Sequence, residues 1–322
     1  MDKGIKAAVG LDVHKDSIAI GVADAAGGAG RFVGRIGHDR AQLAKALRRL
    51  GGKSELKLVY EAGPTGYGLR RWLAAEGYRC EVIAPSLMPR RPGDRVKTDR
   101  RDGVRLAELE RAGELKPIWI PEPEDEAIRD LARAREDAVN ARTQARHQLK
   151  GFLLRHGLRY AGKSAWSKSF YRWLATLAFE HTPAQTAFTE YQLAIQGADE
   201  RVARLTQALE QAIEGWRFEP VVRHLRALRG LDTVSAVGLA AEIGDIARFA
   251  HARQLMGYLG MVPSERSSGD RLRKGPLTKT GNAHARRLLT EAAWNYRFPA
   301  RIARALSVRQ ESLAEPVRER MR

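Results

Sequence analysis

The N-terminal third of the chain alternates short apolar runs with turn residues. Residues 7–13 (AAVGLDV), 17–23 (SIAIGVA) and 31–36 predict three strands in succession. Residues 39–50 predict a helix with Leu43, Ala46, Leu47 and Leu50 on one face. A strand over 56–60 (LKLVY), a helix over 65–76, a strand over 79–84 (RCEVIA) and a helix from about residue 99 follow. Three strands, then helix, strand, helix and strand, is the order of a mixed sheet with helices on its faces.

The middle third changes period. Ile195, Ala198, Val202, Leu205, Leu209, Ala212 and Trp216 alternate spacings of three and four, a heptad seam. A looser seam runs through Ile128, Leu131, Ala138, Ala145, Leu149 and Phe152. Between them lie Tyr160, Trp166, Phe170, Tyr171 and Trp173. The pattern predicts a coiled-coil-like arm of two antiparallel helices with a structured tip; a plain helical domain closed on itself and a dimerising seam are the alternatives. Pro121 and Pro123 mark its entry and Pro220 its exit. The expected domains are 1–120, 121–220 and a mainly α-helical 221–322.

Charge sharpens this division. The 322 residues carry a formal charge of +18. Residues 1–120 account for +8, 121–220 are neutral, and 221–322 account for +10. Two basic regions around a neutral one point to a polyanion such as nucleic acid. No run reaches 18 apolar residues, so no membrane span is expected. Asp12 and Lys15 come too early for a signal-peptide core. Cys80 is the only cysteine, which excludes intrachain disulfides and multi-cysteine zinc sites.

Four acids stand at telling places in the first region. Asp12 ends the first strand and Glu61 the fourth, while Asp99 and Asp102 are three apart on the helix that starts near 99. The element order resembles a ribonuclease H-like domain, in which strand ends converge at one edge. Four carboxylates there repel unless they share a cation, and hard oxygens suit Mg²⁺. Each acid taken singly also fits a solvated or capping role. His14 and Lys15, next to Asp12, are placed to touch phosphate. Gly63, Pro64, Thr65 and Gly66 make a turn without the Lys-Ser/Thr ending of a P-loop.

The last region reads as a helix, a Gly-rich turn and a second helix over 224–242, a weak helix-hairpin-helix signal. Residues 260–287 then gather Ser264, Ser267, Ser268, Thr278 and Thr280 with Arg266, Arg271, Arg273, Lys274, Lys279, Arg286 and Arg287. Asn282 is placed to begin a closing helix with Leu288, Leu289, Ala292 and Ala293 inward. Hydroxyls among cations bind phosphate, or supply a nucleophile whose charge the cations offset. Both readings suit this loop; Ser268, just before Gly269, is the preferred nucleophile.

Together these stretches resemble the insertion-sequence one-ten family of transposases. GLDVHKDSIAIGVAD, VYEAGPTGYGL and VKTDRRDGVRLAEL match its three acidic motifs. LRGLDTVSAVGLAAEIGDIARF, GYLGMVPSERSSG and GPLTKTGNAHARRLLTEAAW match its transposase domain, in order. Gly103 stands where Ala is expected and Met261 where Leu is commoner. The resemblance implies a RuvC-like domain with Mg²⁺ on Asp12, Glu61, Asp99 and Asp102, and a nucleophilic Ser268, with Ser267 its neighbour. It implies a bacterial, cytoplasmic homo-oligomer, dimer or tetramer, whose protomers share sites and whose guide is a bridge RNA pairing with donor and target DNA. A junction-resolving nuclease using activated water and a non-catalytic nucleic-acid scaffold are the rival readings.

Overall fold

Strand β1 (Ala7–Val13) pairs antiparallel with β2 (Ser17–Asp24), and β2 with β3 (Arg31–Gly37). After α1 (Arg40–Leu50), β4 (Leu56–Glu61) returns parallel to β1. After α2 (Gly68–Ala75), β5 (Arg79–Ile83) lies parallel to β4. The sheet order is β3-β2-β1-β4-β5, the mixed sheet that the apolar runs predict. In this computed structural model the described residues are 4–89, 99–269, 271–299, 301, 303–311 and 313–321; Val96, Lys97 and Thr98 of the third acidic motif lie outside them, as does Asp270. The chain divides into two compact units, Met1–Ile120 and Pro121–Arg322.

Alternation decides what each sheet face meets. Val9, Leu11, Ile18, Ile20, Leu58 and Tyr60 pack on Leu43 and Leu47 of α1 and on Leu69 and Leu73 of α2. The opposite face carries Val59 and Ile83, which pack on Leu106 and Leu109 of α3 (Asp99–Ala112). Asp39 is the cap of α1 rather than its first residue, its carboxylate accepting from the Gln42 N–H at 2.8 Å. α2 starts at Gly68 rather than 65, since residues 63–66 close a turn in which Gly66 N–H donates to Gly63 O.

α3 comes unusually close to the sheet. A Cβ on Gly10 would lie 2.1 Å from the Gly103 carbonyl oxygen, and one on Gly21 would lie 2.4 Å from the Gly103 backbone. Glycine at 10 and 21 therefore sets how deep the helix that opens at Asp99 can sit.

In the second unit α4 (Pro123–Arg155) and α6 (Thr182–Gln211) run antiparallel. Arg135 donates to Thr206, and Arg142 and Arg146 donate to Asp199. Ile195, Val202 and Leu209 of the seam are buried, facing Ala138, Ala145, Leu149 and Phe152, so the seam is filled within one chain. α5 (Lys168–Leu174) closes the far end, where Phe170 packs edge-on to Tyr160 and Trp166. The aromatics between the seams are the core of that tip.

The near end is held by a buried carboxylate. Asp125 is fully buried; its Oδ1 accepts from Trp216 Nε1 at 2.9 Å and from Arg217 Nε at 3.0 Å, and its Oδ2 from Glu122 N–H. Burial pushes this carboxyl up, but the hydrogen bonds from Arg217 and Trp216 outweigh it and hold it below the usual carboxylate value. Trp216 lies in the turn after α6 rather than on it, yet it is buried. It packs with Ile128 and Leu209 on Val222 of α7 (Glu219–Arg226) and on Val237 and Ala240 of α8 (Thr233–Ile243). Arm and C-terminal helices thus share one core. The chain continues through α9 (Ala252–Tyr258), a hairpin of β6 (Pro263–Glu265) and β7 (Lys274–Leu277), α10 (Ala283–Ala293), α11 (Arg304–Glu311) and α12 (Glu315–Met321). Among the described residues no helix is long and apolar enough to cross a membrane.

Candidate active site

Register brings the first two acids side by side. Leu11 pairs with Tyr60 across the parallel β1–β4 ladder, so Asp12 and Glu61 are the next residues of adjacent strands. Both follow the α3-facing alternation set by Gly10 and Val59. Asp99 opens α3 one turn before Gly103, the residue seated on Gly10 and Gly21. The close glycine crossing therefore delivers Asp99 to the end of β1.

A histidine joins them. In the β1–β2 turn the His14 N–H donates to Ser17 O at 2.9 Å, and His38 Nδ1 is hydrogen-bonded to His14 O at 2.7 Å. His14 Nε2 lies 3.1 Å from Asp12 Oδ2 and 3.5 Å from Asp99 Oδ1. One ligand atom each from Asp12, His14 and Asp99 falls within 4.8 Å of the others. Arg35 Nη1 stands 3.6 Å from Asp99 Oδ2, while its Nε donates to Ser17 Oγ. Glu61 and Asp102 are outside that trio.

The donor set fits a divalent cation. Two carboxylates converge from elements far apart in sequence, and imidazole nitrogen and carboxylate oxygen are both ordinary ligands. The sequence expectation of phosphate for His14 missed this neighbourhood, although the two-residue spacing in Asp-Val-His carried its signal. Arg35 had none, since its proximity arises only from β3 pairing with β2.

The hydroxyl-rich loop folds as the β6–β7 hairpin. Ser268 and Arg271 exchange backbone hydrogen bonds at 3.3 Å across its tip. The adjacent hydroxyls differ. Ser267 Oγ donates to Glu265 Oε1 at 2.7 Å and accepts from the Arg273 N–H at 3.2 Å. The Ser268 hydroxyl has no hydrogen-bond partner among the described residues. Arg266, Arg271, Arg273, Lys274 and Lys279 are exposed around it. Arg286 instead donates to Leu259 O at 2.7 Å and to Thr280 O, and Arg287 pairs with Glu136 and Glu291.

The hairpin is anchored on a buried carboxylate that the sequence did not single out. Glu242 of α8 accepts from Arg133 Nε at 2.7 Å and Nη2 at 3.0 Å, and from Asn282 Nδ2 at 2.7 Å. Burial pushes Glu242 up; the hydrogen bonds from Arg133 and Asn282, with the charges of Arg133 and His284, hold it below the ordinary Glu value. Gly281 (φ +78°) has no room for a side chain, because a Cβ would lie 1.9 Å from Tyr258 O. Cys80 takes no part: it is buried, and burial pushes its thiol up to about 12.

Comparison with known proteins agrees with this two-part plan. A model described as Transposase, the DEDD domain of the IS110 group, matches residues 9–157, and one described as Transposase IS116/IS110/IS902 family matches 222–306. A Sinorhizobium fredii (strain NBRC 101917 / NGR234) protein named as the transposase y4qE is 45% identical over 316 residues, covering 98% of this chain and 78% of that protein. The transposase for insertion sequence element IS1533 of Leptospira borgpetersenii is 30% identical, covering 95% of this chain and 89% of its own length. The transposase for element IS1111A of Coxiella burnetii is 25% identical over 206 residues, covering 61% of this chain and 54% of its own. With both halves matched in order and relatives alike over nearly its whole length, the chain belongs to the IS116/IS110/IS902 family of transposases, enzymes that cut and rejoin DNA.

Proposed function

We propose that this transposase joins DNA through a covalent bond to Ser268, assisted by a divalent cation at the acidic site and guided by a bridge RNA. The observation that carries the serine is the contrast at the hairpin tip: the Ser267 hydroxyl is engaged by Glu265 and Arg273, whereas that of Ser268 has no partner among the described residues. Ser268 Oγ loses its proton and bonds to phosphorus. The bond from phosphorus to the 3′-oxygen breaks, and that oxygen leaves as a hydroxyl by gaining a proton. The 3′-hydroxyl of a partner strand reverses the step. The bond energy is kept in the phosphoserine link, so no nucleotide is consumed, which agrees with the missing P-loop motif. Arg266, Arg271, Arg273, Lys274 and Lys279 offset the charge growing on phosphorus. Arg286 holds the hairpin's base through Leu259 O and Thr280 O, while Arg287, paired with Glu136 and Glu291, joins α10 to α4.

Asp12 and Asp99, with Glu61 and Asp102 beside them and His14 between the first two, would hold Mg²⁺. Such an ion, when bound, polarises the scissile phosphate and offsets its charge. In this reading the protein works as a dimer or tetramer, with the helical arm as the assembly element. Two basic regions flanking a neutral arm support one protein holding RNA and DNA at once.

The test is Ser268→Ala with end-labelled element DNA. The expected result is loss of both strand cleavage and the protein–DNA adduct, while Ser267→Ala keeps the adduct at a reduced rate. Normal cleavage by Ser268→Ala without an adduct would instead establish the water-using nuclease. Sequencing the RNA that co-purifies with the protein tests the guide; random cellular RNA would count against it.

A further inference from the structure

Three large aromatic side chains stand together in solvent on the second unit. Trp294 is 61% exposed, Tyr296 48% and Phe298 57%. Single exposed apolar residues are ordinary, but a cluster along one short turn marks a contact surface. Cations are stacked on these rings. The Arg229 guanidinium lies 4.5 Å from the Tyr296 ring centre, and that of Arg297 lies 5.2 Å from Trp294 and 4.6 Å from Phe298. Arg229 also donates to Phe298 O at 3.4 Å and Pro299 O at 3.3 Å, tying the α7–α8 turn to the aromatic segment. Arg309 donates to the carbonyls of Arg226, the last residue of α7, and of Leu231 in that same turn. A cleft of about 580 Å³ opens between them, with Arg229, Arg301, Arg309 and Phe298 in its wall. Among the described residues no carboxylate pairs with Arg229, Arg297, Arg301 or Arg309.

We infer that this surface binds an unpaired stretch of the DNA substrate, its bases stacked on Trp294, Tyr296 and Phe298 and its phosphates on the surrounding arginines. Flat exposed rings reward a base whose faces are free, and a duplex hides those faces. Unneutralised guanidinium groups suit phosphate and oppose a purely apolar protein partner. DNA is the occupant because this family cuts and rejoins it, and exchange of strands leaves nucleotides without partners. The surface is distinct from the hairpin that carries Ser268.

The experiment measures anisotropy of labelled single-stranded DNA, of its blunt duplex and of single-stranded RNA of equal sequence, titrated with the full chain. Replacing Tyr296 and Phe298 together by Ala is expected to weaken single-stranded DNA binding about tenfold or more, leaving the duplex little changed. Tyr296→Phe, which keeps the ring, retains binding. Arg297→Gln lowers the slope of log affinity against log salt by about one. Ser268→Ala leaves all of this unchanged, so failure of the serine chemistry and failure of this surface are separable. Equal losses on single strand and duplex, or no loss, would overturn the proposal, as would RNA binding through these residues more tightly than DNA. Should the double variant fail to fold, photocrosslinking of iodouracil-containing DNA to the unaltered protein decides: adducts within Trp294–Phe298 support the surface, and adducts only elsewhere overturn it.

Discussion

Asn282 Nδ2 donates to Glu242 Oε2 at 2.7 Å, while Asn282 Oδ1 accepts from the Ala285 N–H at 2.9 Å. One side chain thus caps α10 and binds a buried carboxylate, which is in turn held by Arg133 of α4. The chain leaving the β6–β7 hairpin is fastened to the arm through these three residues.

Removing the carboxylate takes the shared acceptor away from Arg133 and Asn282. Glu242→Ala should cost about 1–2 kcal/mol, since a part-buried amide and a half-exposed guanidinium lose a charged acceptor. Denaturant unfolding of the two proteins measures it. Glu242 is held below its ordinary value when folded, so its ionised form adds stability above the unfolded pKa, near 4.3. That contribution is lost as pH falls from there through the folded value. The gap between wild type and Glu242→Gln should therefore narrow in acid; a gap that widens would refute the linkage.

The glycine crossing makes an unequal pair of predictions. Gly103→Ala places a Cβ 3.2 Å from Ala19 O and Gly21 N, a tight but small overlap. Ala also gains about 1 kcal/mol of helix propensity over Gly, so the melting temperature should hardly move. Gly10→Ala drives a Cβ to 2.1 Å from the Gly103 carbonyl, and no flexible side chain can yield there. It should dislodge α3, lowering the melting temperature and moving Asp99 away from Asp12. Equal melting temperatures for the two variants would contradict this geometry.

The acidic site predicts cation binding independent of DNA. Asp12→Asn and Asp99→Asn should each weaken Mn²⁺ binding by about tenfold or more in titration calorimetry, because each removes a charged ligand. Asp16→Asn serves as the comparison, since Asp16 is exposed and outside the Asp12–His14–Asp99 set. Unchanged affinity in the Asp12 and Asp99 variants would mean the ion sits elsewhere.

Asp125 closes the base of the arm. Asp125→Ala should destabilise the second unit by about 2 kcal/mol, as it leaves the buried Trp216 N–H without its acceptor while the half-exposed Arg217 turns to water. Trp216→Phe loses one hydrogen bond and should cost about 1 kcal/mol. Thermal unfolding followed by tryptophan fluorescence separates the two.

Much of the fold was legible because period encodes which face of an element is buried. The unbroken apolar run SIAIGVA marked β2, buried on both faces, and the three-four spacing through Ile195, Val202 and Leu209 marked the inner face of α6. Local chemistry also sufficed for one end, since Asn282 caps α10 as expected, whereas the helix expected from 39 begins at Arg40 with Asp39 as its cap. Period says nothing about where an isolated side chain meets another element. Hence Trp216 continued the seam in sequence although its helix stops at Gln211, and Glu242, in an apolar helix, gave no sign of its partners.

The sequence by itself determined the +8, neutral and +10 regions, the strand and helix order, and the acids at the ends of β1 and β4. These rest on residue type and on contacts within a few positions. Tertiary structure alone decided that Asp99 comes to Asp12 with His14 between them, because three glycines let α3 sink onto the sheet. It alone set the hydrogen bonding of Ser267 apart from that of Ser268, because hairpin register engages the Ser267 hydroxyl and gives that of Ser268 no partner among the described residues. Each is a distance between groups on different elements, fixed by how backbones pack and not by what either residue is.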